Sequence, residues 1–258
     1  MAIITLTTDL GHRDFYQAAL KGAILTQLPE ARIIDISHQI SSYNIPQAAF
    51  ILKNSYKFFP QNAVHIVGVD TNYEQVPRYL LVANKGHYFI GADNGIFSLL
   101  FDEKPEQIIQ LNIKPNPEFG HFPLLDVFVK AACHVASGKN IAEIGTLTDE
   151  FLHSSLMQPV VDANIIRGGV IYIDSFQNVL TNITRELFEK TAANRPFDIY
   201  FRRNESISKI STHYNDVPQG EKLALFSITN YLEIAINKGN AAGLLGLGPG
   251  DMVRIEFK

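Results

Sequence analysis

The chain has 258 residues, a formal net charge of −4 and a single cysteine. This length allows one large domain or two smaller ones, each with a buried core. The mild charge, with no cluster of Lys and Arg, disfavours nucleic acid as a partner. Apolar runs are far shorter than the roughly 20 residues that span a bilayer. The lone Cys133 excludes an internal disulfide framework, and no signal-peptide pattern is present, so we expect a cytoplasmic protein without a membrane segment.

The first part of the chain predicts strands that alternate with helices. Residues 3–7 form a short β-branched run, residues 14–28 carry apolar side chains at helical spacing, and residues 32–36 are again apolar. Asn44 and Pro46 are typical of the start of a helix, which predicts a second helix through AAFILKNSY. The pattern is that of an α/β domain.

The middle of the chain predicts a further strand, a hairpin and a helix. AVHIVGVD is fully apolar, as expected of a strand that is covered on both faces. RYLLVAN and HYFIGA are separated by Lys85 and Gly86, which predicts a hairpin and therefore a mixed sheet. VFVKAACHVASG predicts a helix that ends at Gly138.

The pattern changes beyond about residue 163. One helix, TRELFEKTA, is predicted to begin at Thr184, and the remaining elements are short strands: IIRGGVIYI, FDIYFRR, KISTH, KLALFSI and MVRIEF. We therefore predict an N-terminal α/β domain over residues 1–150, with a mixed, mostly parallel sheet flanked by helices. A linker over 151–164 and a smaller C-terminal β-barrel-like domain over 165–258 complete the prediction.

Three predicted strands of the first domain carry an aspartate at or near their carboxyl ends: Asp9, Asp35 and Asp70. Ligands of open α/β sheets bind outside these ends. Turn formation is the alternative role for any one aspartate, whereas three together favour a site. The loop after Asp9 lacks the several glycines and the lysine of a phosphate loop. A carboxylate there would accept hydrogen bonds from hydroxyls or an ammonium, so the expected ligand is a diol, a cation or both.

A second polar cluster follows a predicted strand of the C-terminal domain. Asp174 and Asn178 lie in YIDSFQNVLTNI, and Phe176 between them offers a stacking face. Asn pairs with the N6/N7 edge of adenine in nucleic-acid readout, while an Asn-rich hairpin turn is the structural alternative. The stretch INKGNAAGLLGLGPGD exposes backbone among small residues, which suits either close approach by a flat ring or a tight loop.

These segments, in this order, resemble the S-adenosylmethionine hydroxide adenosyltransferases, relatives of the adenosyl fluoride and chloride synthases. The resemblance extends from about residue 3 to residue 257. It lies in a series of moderate motifs: TDLGHRDFYQAALKG, IIDISHQI, VDTNYEQVPRYLLVA, GADNGIFSLL, DVFVKAACHVASG, IDSFQNVLTNI and YLEIAINKGNAAGLLGLGPGD. It implies a homotrimer whose active sites lie between the N-terminal domain of one subunit and the C-terminal domain of its neighbour. It also implies S-adenosylmethionine as the substrate, with no separate cofactor. The histidines are scattered, without a metal-ligand spacing such as HxxxH or HExxH, so we expect no metal site.

The resemblance also implies roles for individual residues. In the N-terminal domain Asp9 would hold the two ribose hydroxyls, Asp14 and Tyr16 would lie near the methionine ammonium, and Tyr43 would lie against the ribose and sulfonium. The positions implied in the C-terminal domain are Asp174 for the amino acid moiety, Phe176 and Asn178 for adenine, and the backbone of Asn240, Ala241 and Ala242 for the adenine edge.

The implied reaction is displacement of methionine from the ribose C5′ by water or hydroxide, which leaves adenosine. Family members use an Asp, an Arg and a His around the nucleophile, and Asp70 matches that Asp. The Arg position is Pro77, with Arg78 one residue later, and the His position is Pro123, with His121 two residues upstream. We therefore take Asp70, Arg78 and His121 as the candidate catalytic residues.

These departures leave three alternatives for the chemistry. Arg78 and His121 reach the nucleophile through altered loops, or the protein binds S-adenosylmethionine or adenosine with impaired turnover, or another nucleophile such as a halide is used. A fixed negative charge on Asp70 opposes the halide. Without the resemblance, the same features fit a nucleoside-binding module that carries out no reaction.

Overall fold

The computed structural model describes residues 2–72, 74, 76–119, 122–202 and 205–258. The contacts divide the chain into two compact units, Met1–Leu156 and Met157–Lys258. Among the described helices, none combines the length and the hydropathy that crossing a membrane requires.

The N-terminal unit contains seven strands and four α-helices in its described part. In chain order these are β1 Ile3–Thr8, α1 Tyr16–Gln27, β2 Arg32–Ser37, α2 Ile45–Ser55, β3 Val64–Gly68, β4 Tyr79–Asn84, β5 His87–Ala92, α3 Ile96–Leu100, β6 Gln107–Leu111, α4 Val127–Ala136 and β7 Gly145–Thr148.

The strands of the N-terminal unit form one mixed sheet in the order β2-β1-β3-β5-β4-β6-β7. The pairs β1/β2, β1/β3 and β3/β5 are parallel, and those from β5 through β4 and β6 to β7 are antiparallel. The predicted hairpin is confirmed, since Lys85 and Gly86 both take positive φ, at 50° and 74°, as a tight two-residue turn requires.

Helices cover both faces of this sheet. Apolar side chains of α1 and α4 pack with Ile4, Leu6 and Ile66 on one face, while α2 and α3 pack with Val67, Val82 and other buried side chains on the opposite face. The start of α2 follows the predicted chemistry, because Asn44 Oδ1 accepts a hydrogen bond from the Gln47 amide at 3.0 Å. The predicted mixed sheet flanked by helices is confirmed, but three of its strand pairs are parallel and three antiparallel, so the sheet is not mostly parallel as expected.

The C-terminal unit is mainly antiparallel. Its described elements are β8 Val160–Asp162, β9 Ile165–Ile173, β10 Val179–Thr184, α5 Arg185–Ala192, β11 Phe197–Arg202, β12 Glu205–Ile207, β13 Lys222–Phe226, β14 Tyr231–Ile236, α6 Ala241–Leu245 and β15 Met252–Phe257. The sheet order is β12-β11-β15-β9-β10-β14-β13, with β8 on β9. Its two ends, β12 and β13, contact each other, so the sheet is nearly closed and the barrel-like prediction is confirmed.

Two local predictions in the C-terminal unit differ from the structure. KISTH is not a strand, because Ile210 makes only an isolated bridge to Ala224 while the residues after it turn into a 3₁₀ helix, Tyr214–Asp216. The stretch after Asn240 is the short helix α6 instead of a plain loop. Asn240 starts it by accepting a hydrogen bond from the Gly243 amide at 2.6 Å, the usual N-terminal capping contact.

Candidate active site

The carboxyl ends of two neighbouring strands carry Asp9 and Asp70. Strands β1 and β3 are parallel partners with Thr8 opposite Gly68, and the Asp9 amide donates to the Gly68 carbonyl at 3.4 Å. Asp9 directly follows β1, and Asp70 follows β3 by two residues. The order of the sheet thus brings these two predicted acidic residues to one edge, where open α/β sheets bind their ligands.

Asp9 is joined to the loop that carries Tyr43. One carboxylate oxygen of Asp9 accepts a hydrogen bond from the Tyr43 amide at 2.9 Å. Tyr43 has a φ of 64°, a conformation that costs a non-glycine residue free energy, and its side chain is 72% exposed. The contact fixes the carboxylate and leaves the ring of Tyr43 facing solvent.

A buried chain of hydrogen bonds supports the loop of Asp9. The Leu10 amide donates to Thr8 Oγ1 at 3.3 Å, and Thr8 Oγ1 lies 2.6 Å from His38 Nδ1. His38 Nε2 lies 3.1 Å from Asp35 Oδ1. A consistent set of donors results when His38 carries its proton on Nε2 and Nδ1 accepts from the Thr8 hydroxyl. Burial lowers the pKa of His38 and Asp35 opposes this shift, which agrees with a neutral ring.

Asp35 therefore belongs to the support of the site. Besides its contact with His38, the Asp35 carboxylate accepts hydrogen bonds from Lys21 at 2.6 Å and from Gln17 at 3.3 Å. Both donors lie on α1, so Asp35 connects α1 to the end of β2. Of the three strand-end aspartates, and within the described residues, Asp35 is the one whose carboxylate contacts side chains of the protein itself, those of Gln17, Lys21 and His38.

Asp70 has a different environment. Its φ is 46°, and its backbone is held by Asn94, whose amide nitrogen donates to the carbonyls of Val69 and Asp70, each at 2.9 Å. Partial burial, and secondly the negative charge of Asp9, raise the pKa of the Asp70 carboxyl. In the described part of the chain no side-chain hydrogen bond to this carboxylate contributes to the shift. A carboxylate with a raised pKa at the ligand-binding edge of a sheet is suited to accept a proton.

Asp14 and Tyr16 lie at the start of α1. Asp14 is exposed. The ring of Tyr16 packs on Phe15 and on Phe122, with centroid distances of 4.4 and 5.4 Å. Both residues are thus available at the surface of the N-terminal unit, and their predicted contacts with methionine stay predictions.

The side chain of Arg78 is hydrogen-bonded to two groups of the N-terminal unit. Its Nε donates to Asp93 Oδ2 at 2.7 Å, and its Nη2 donates to the Glu150 carbonyl at 2.7 Å. Asp93, which is 4% exposed, also accepts from the Leu152 amide at 2.7 Å. The guanidinium thereby fixes the segment after β7 to the ends of β4 and β5.

The positions that depart from the family motif share one cavity. Pro77, Arg78 and Pro123 line a cavity of about 580 Å³ together with Asn72 and Asp126. His121 lies outside the described residues, so its predicted role stays a prediction. The cavity shows that side chains placed at positions 77 and 123 face a common space.

In the C-terminal unit, Asp174 organises the loop after β9. Asp174 Oδ1 accepts from the amides of Phe176 and Asn178 at 2.9 and 2.8 Å, and Oδ2 accepts from Asn178 Nδ2 at 3.1 Å. An ionised carboxylate has about four acceptor positions, so this loop uses most of them. The side chain of Phe176 projects outward and is 80% exposed.

A cavity of about 610 Å³ adjoins this loop. The two segments predicted to bind adenine, YIDSFQNVLTNI and INKGNAAGLLGLGPGD, are in contact, since the Ala242 amide donates to the Gln177 carbonyl at 2.9 Å. Ala241 and Ala242 are themselves buried. Residues that line the cavity are Phe176, Asn178, Tyr214, Ile236, Asn237, Lys238, Gly239 and Asn240.

Sequence reasoning missed Tyr214 in this cavity. Its OH donates to Glu233 Oε1 at 2.7 Å, and Glu233 is 3% exposed. Tyr214 comes from a 3₁₀ helix far along the chain from Asn178, and no spacing rule connects the two. An acidic residue within the apolar strand YLEIAI was the available signal, because a buried carboxylate needs a partner.

The fold and these sites define a two-domain protein in which a mixed α/β unit with an acidic strand edge precedes an antiparallel β unit with an aromatic and amide-lined cavity. The model of the SAM hydroxide adenosyltransferase N-terminal domain matches residues 4–145. The model of the SAM hydroxide adenosyltransferase C-terminal domain matches residues 168–254. The chain belongs to the SAM hydroxide adenosyltransferase family, and the resemblance seen in the motifs is confirmed.

Individual relatives agree with this assignment. The (R)-S-adenosyl-L-methionine hydrolase of Methanocaldococcus jannaschii is 27% identical over 270 residues, covering 99% of this chain and 96% of that protein. The (R)-S-adenosyl-L-methionine hydrolase of Salinispora tropica is 28% identical, covering 98% of this chain and 97% of that protein. A crystal structure of an uncharacterized conserved protein from Thermotoga maritima has a TM-score of 0.89 and 28% identity, covering 98% of this chain and 99% of that one.

Proposed function

We propose that this protein hydrolyses S-adenosylmethionine to adenosine and methionine. The observation that carries the proposal is the pair of carboxylates at one strand edge, in a chain of this family. Asp9 is held in place by the Tyr43 amide, whereas the pKa of Asp70 is raised by burial and by Asp9. One acid is suited to bind hydroxyls and the other to accept a proton.

The reaction is a displacement at a single carbon. The oxygen of water forms a bond to C5′ of the ribose while the bond between C5′ and sulfur breaks, and its electron pair stays on sulfur. Methionine leaves uncharged at sulfur, and one proton of the water is transferred to Asp70 and then to solvent. Because the sulfonium is already a good leaving group, the protein has to align water and accept its proton.

The remaining predicted residues are assigned to binding. Asp9 would accept hydrogen bonds from both ribose hydroxyls. Asp14 and Tyr16 would contact the amino acid end of S-adenosylmethionine, and Tyr43 would cover the ribose. From the C-terminal unit, Asp174 would contribute to the amino acid end, where about one acceptor position is left after its three loop contacts. Phe176, Asn178 and the backbone of Asn240–Ala242 would receive adenine.

The test uses S-adenosylmethionine in water enriched in oxygen-18. Chromatography with mass detection should show adenosine and methionine in equal amounts, with the heavy oxygen in adenosine. A 5′-halogenated nucleoside formed only when halide is added would support the halide alternative. Bound S-adenosylmethionine that is recovered intact would contradict hydrolysis.

A second candidate function is ligand binding with impaired turnover, which one specific observation favours. Arg78 is committed to Asp93 and to the Glu150 carbonyl, and the family's Arg and His positions are occupied by Pro77 and Pro123. If turnover is impaired for this reason, the double variant Pro77→Arg/Pro123→His should raise it. The two positions line one cavity, so the new side chains would lie within reach of each other. No gain in the double variant would contradict this explanation.

The assembly is also part of the proposal. We propose a homotrimer in which the N-terminal unit of one subunit and the C-terminal unit of its neighbour complete each site. Light scattering measures the subunit number. Coexpression of an Asp70→Asn subunit with an Asp174→Ala subunit should restore part of the activity, because some sites then combine two intact units. The cytoplasmic location expected from the sequence pattern and the single cysteine stays a prediction.

A further inference from the structure

A buried acidic residue, Glu233, lies behind the cavity of the C-terminal unit, on strand β14, between β10 and the terminal strand β13 of the antiparallel sheet. Glu233 on β14 pairs in register with Leu180 on β10 and with Leu225 on β13. The carboxylate is therefore flanked by apolar side chains, and it is 3% exposed. A carboxylate in such a place is costly unless it is hydrogen-bonded.

Its partner is the phenol of Tyr214, at 2.7 Å. Tyr214 lies on the 3₁₀ helix that crosses this face of the sheet, and its ring lines the cavity together with Phe176 and Asn178. Burial, followed by the bond to Glu233, raises the pKa of Tyr214, so the phenol keeps its proton and donates it. The hydrogen bond thus fixes the phenol end of a ring that lines the cavity.

The turn that presents Tyr214 is fixed separately. Asp216 Oδ2 accepts from the amides of Thr212 and His213 at 2.8 and 3.1 Å. The backbone of the 3₁₀ helix is therefore ordered without Glu233. What Glu233 adds is the direction of the tyrosine side chain.

We propose that Glu233 is a positioning residue for nucleoside binding: through its hydrogen bond to Tyr214 it sets the ring that forms one wall of the cavity. This inference rests on the proposed function in assigning a nucleoside to the cavity. A ring held in one orientation loses less conformational entropy when a flat base stacks on it. Glu233 itself touches no ligand in this scheme, and the ring of Tyr214 does.

The test compares four variants by calorimetry with S-adenosylmethionine and with adenosine. Tyr214→Phe and Glu233→Leu should each weaken binding about threefold to tenfold, the size of one ordinary hydrogen bond. Glu233→Gln keeps an acceptor for the phenol and should bind like the wild type. Tyr214→Ala removes the stacking face and should weaken binding by about tenfold to a hundredfold.

Two further variants separate positioning from stability. The double variant Tyr214→Phe/Glu233→Leu should bind no more weakly than either single variant, because both remove the same contact. Tyr200→Phe, outside the cavity lining, is the matched control and should leave affinity unchanged. A lowered melting temperature with unchanged affinity in Tyr214→Phe and Glu233→Leu would overturn this inference and leave the proposed function intact. A wild-type protein that binds neither compound would overturn the proposed function, and this inference with it.

Discussion

Asp70 and Asp174 both follow an apolar strand, yet the two units use them differently. Asp174 accepts three hydrogen bonds from its own loop. The pKa of Asp70 is raised by burial and by Asp9, without a contribution from a side-chain hydrogen bond in the described residues. The same residue type at the same place in the pattern is thus a loop organiser in one unit and a candidate base in the other. The donors that surround each carboxylate make the difference.

The largest effect is expected from Asp70→Asn. This change removes the proton acceptor but keeps the size of the side chain, so turnover should fall by about a hundredfold or more while affinity for S-adenosylmethionine changes little. Product formation by chromatography measures the first quantity and calorimetry the second. Asp149→Asn, an exposed residue paired with Lys104, is the control. Equal rates in Asp70→Asn and the wild type would remove Asp70 from the mechanism.

The next largest effect is a loss of ligand affinity that distinguishes Asp9 from Asp14. Asp9→Asn keeps an acceptor for the Tyr43 amide but loses the charge that would hold two hydroxyls. Affinity for adenosine and for S-adenosylmethionine should both fall about tenfold to a hundredfold. Asp14→Asn should weaken only S-adenosylmethionine, because adenosine has no ammonium group. Calorimetry with both compounds tests this, and a loss of adenosine binding in Asp14→Asn would contradict the assignment.

Asp174→Ala tests the structural side of the comparison. The variant leaves two loop amides and the Asn178 side chain without their acceptor, which should lower the free energy of unfolding by about 1–3 kcal/mol. Urea denaturation followed by circular dichroism measures the change. Asp162→Asn, whose partner is Arg167 at the surface, should change it by less than about 0.5 kcal/mol. Equal stability of the two variants would show that Asp174 does not organise the loop.

The smallest expected effect is a pH-dependent difference in melting temperature between Asp70→Asn and the wild type. Because the folded-state pKa of Asp70 is raised, its contribution to folding is present below the unfolded pKa and is lost as pH rises through the folded pKa. Asp70→Asn should therefore melt slightly above the wild type at about pH 8, and the difference should shrink towards about pH 4. Asparagine also tolerates positive φ. A variant that melts below the wild type at about pH 8 would contradict the sign of this shift.

Much of the edge that carries Asp9 and Asp70 could be predicted, because short-range signals define it. Apolar strands, the Asn44 cap and the turn at Lys85 and Gly86 are all encoded within a few residues. Once the strands are known to be parallel, the two carboxylates are expected at the same edge. The identities of the candidate ligand contacts came from the resemblance, and the structure leaves those roles as proposals.

The network behind the site could not be predicted from local patterns. The contact of His38 with Thr8 joins residues thirty positions apart, and the Arg78 contact with the Glu150 carbonyl spans 72 positions. Such pairings depend on how strands order themselves in the sheet. The contact between Tyr214 and Glu233 could not be predicted for the same reason. The β-branched residues of KISTH favour a strand, but in the structure Ile210 makes only an isolated bridge to Ala224.

The exposed ring of Phe176 offers a practical consequence. The chain contains 17 phenylalanines and no tryptophan, and this ring is 80% exposed at the rim of the cavity. An indole introduced by Phe176→Trp would be the sole such fluorophore in the polypeptide. Its emission would then report directly, in real time and without labelling, whether the pocket beside it is empty or filled.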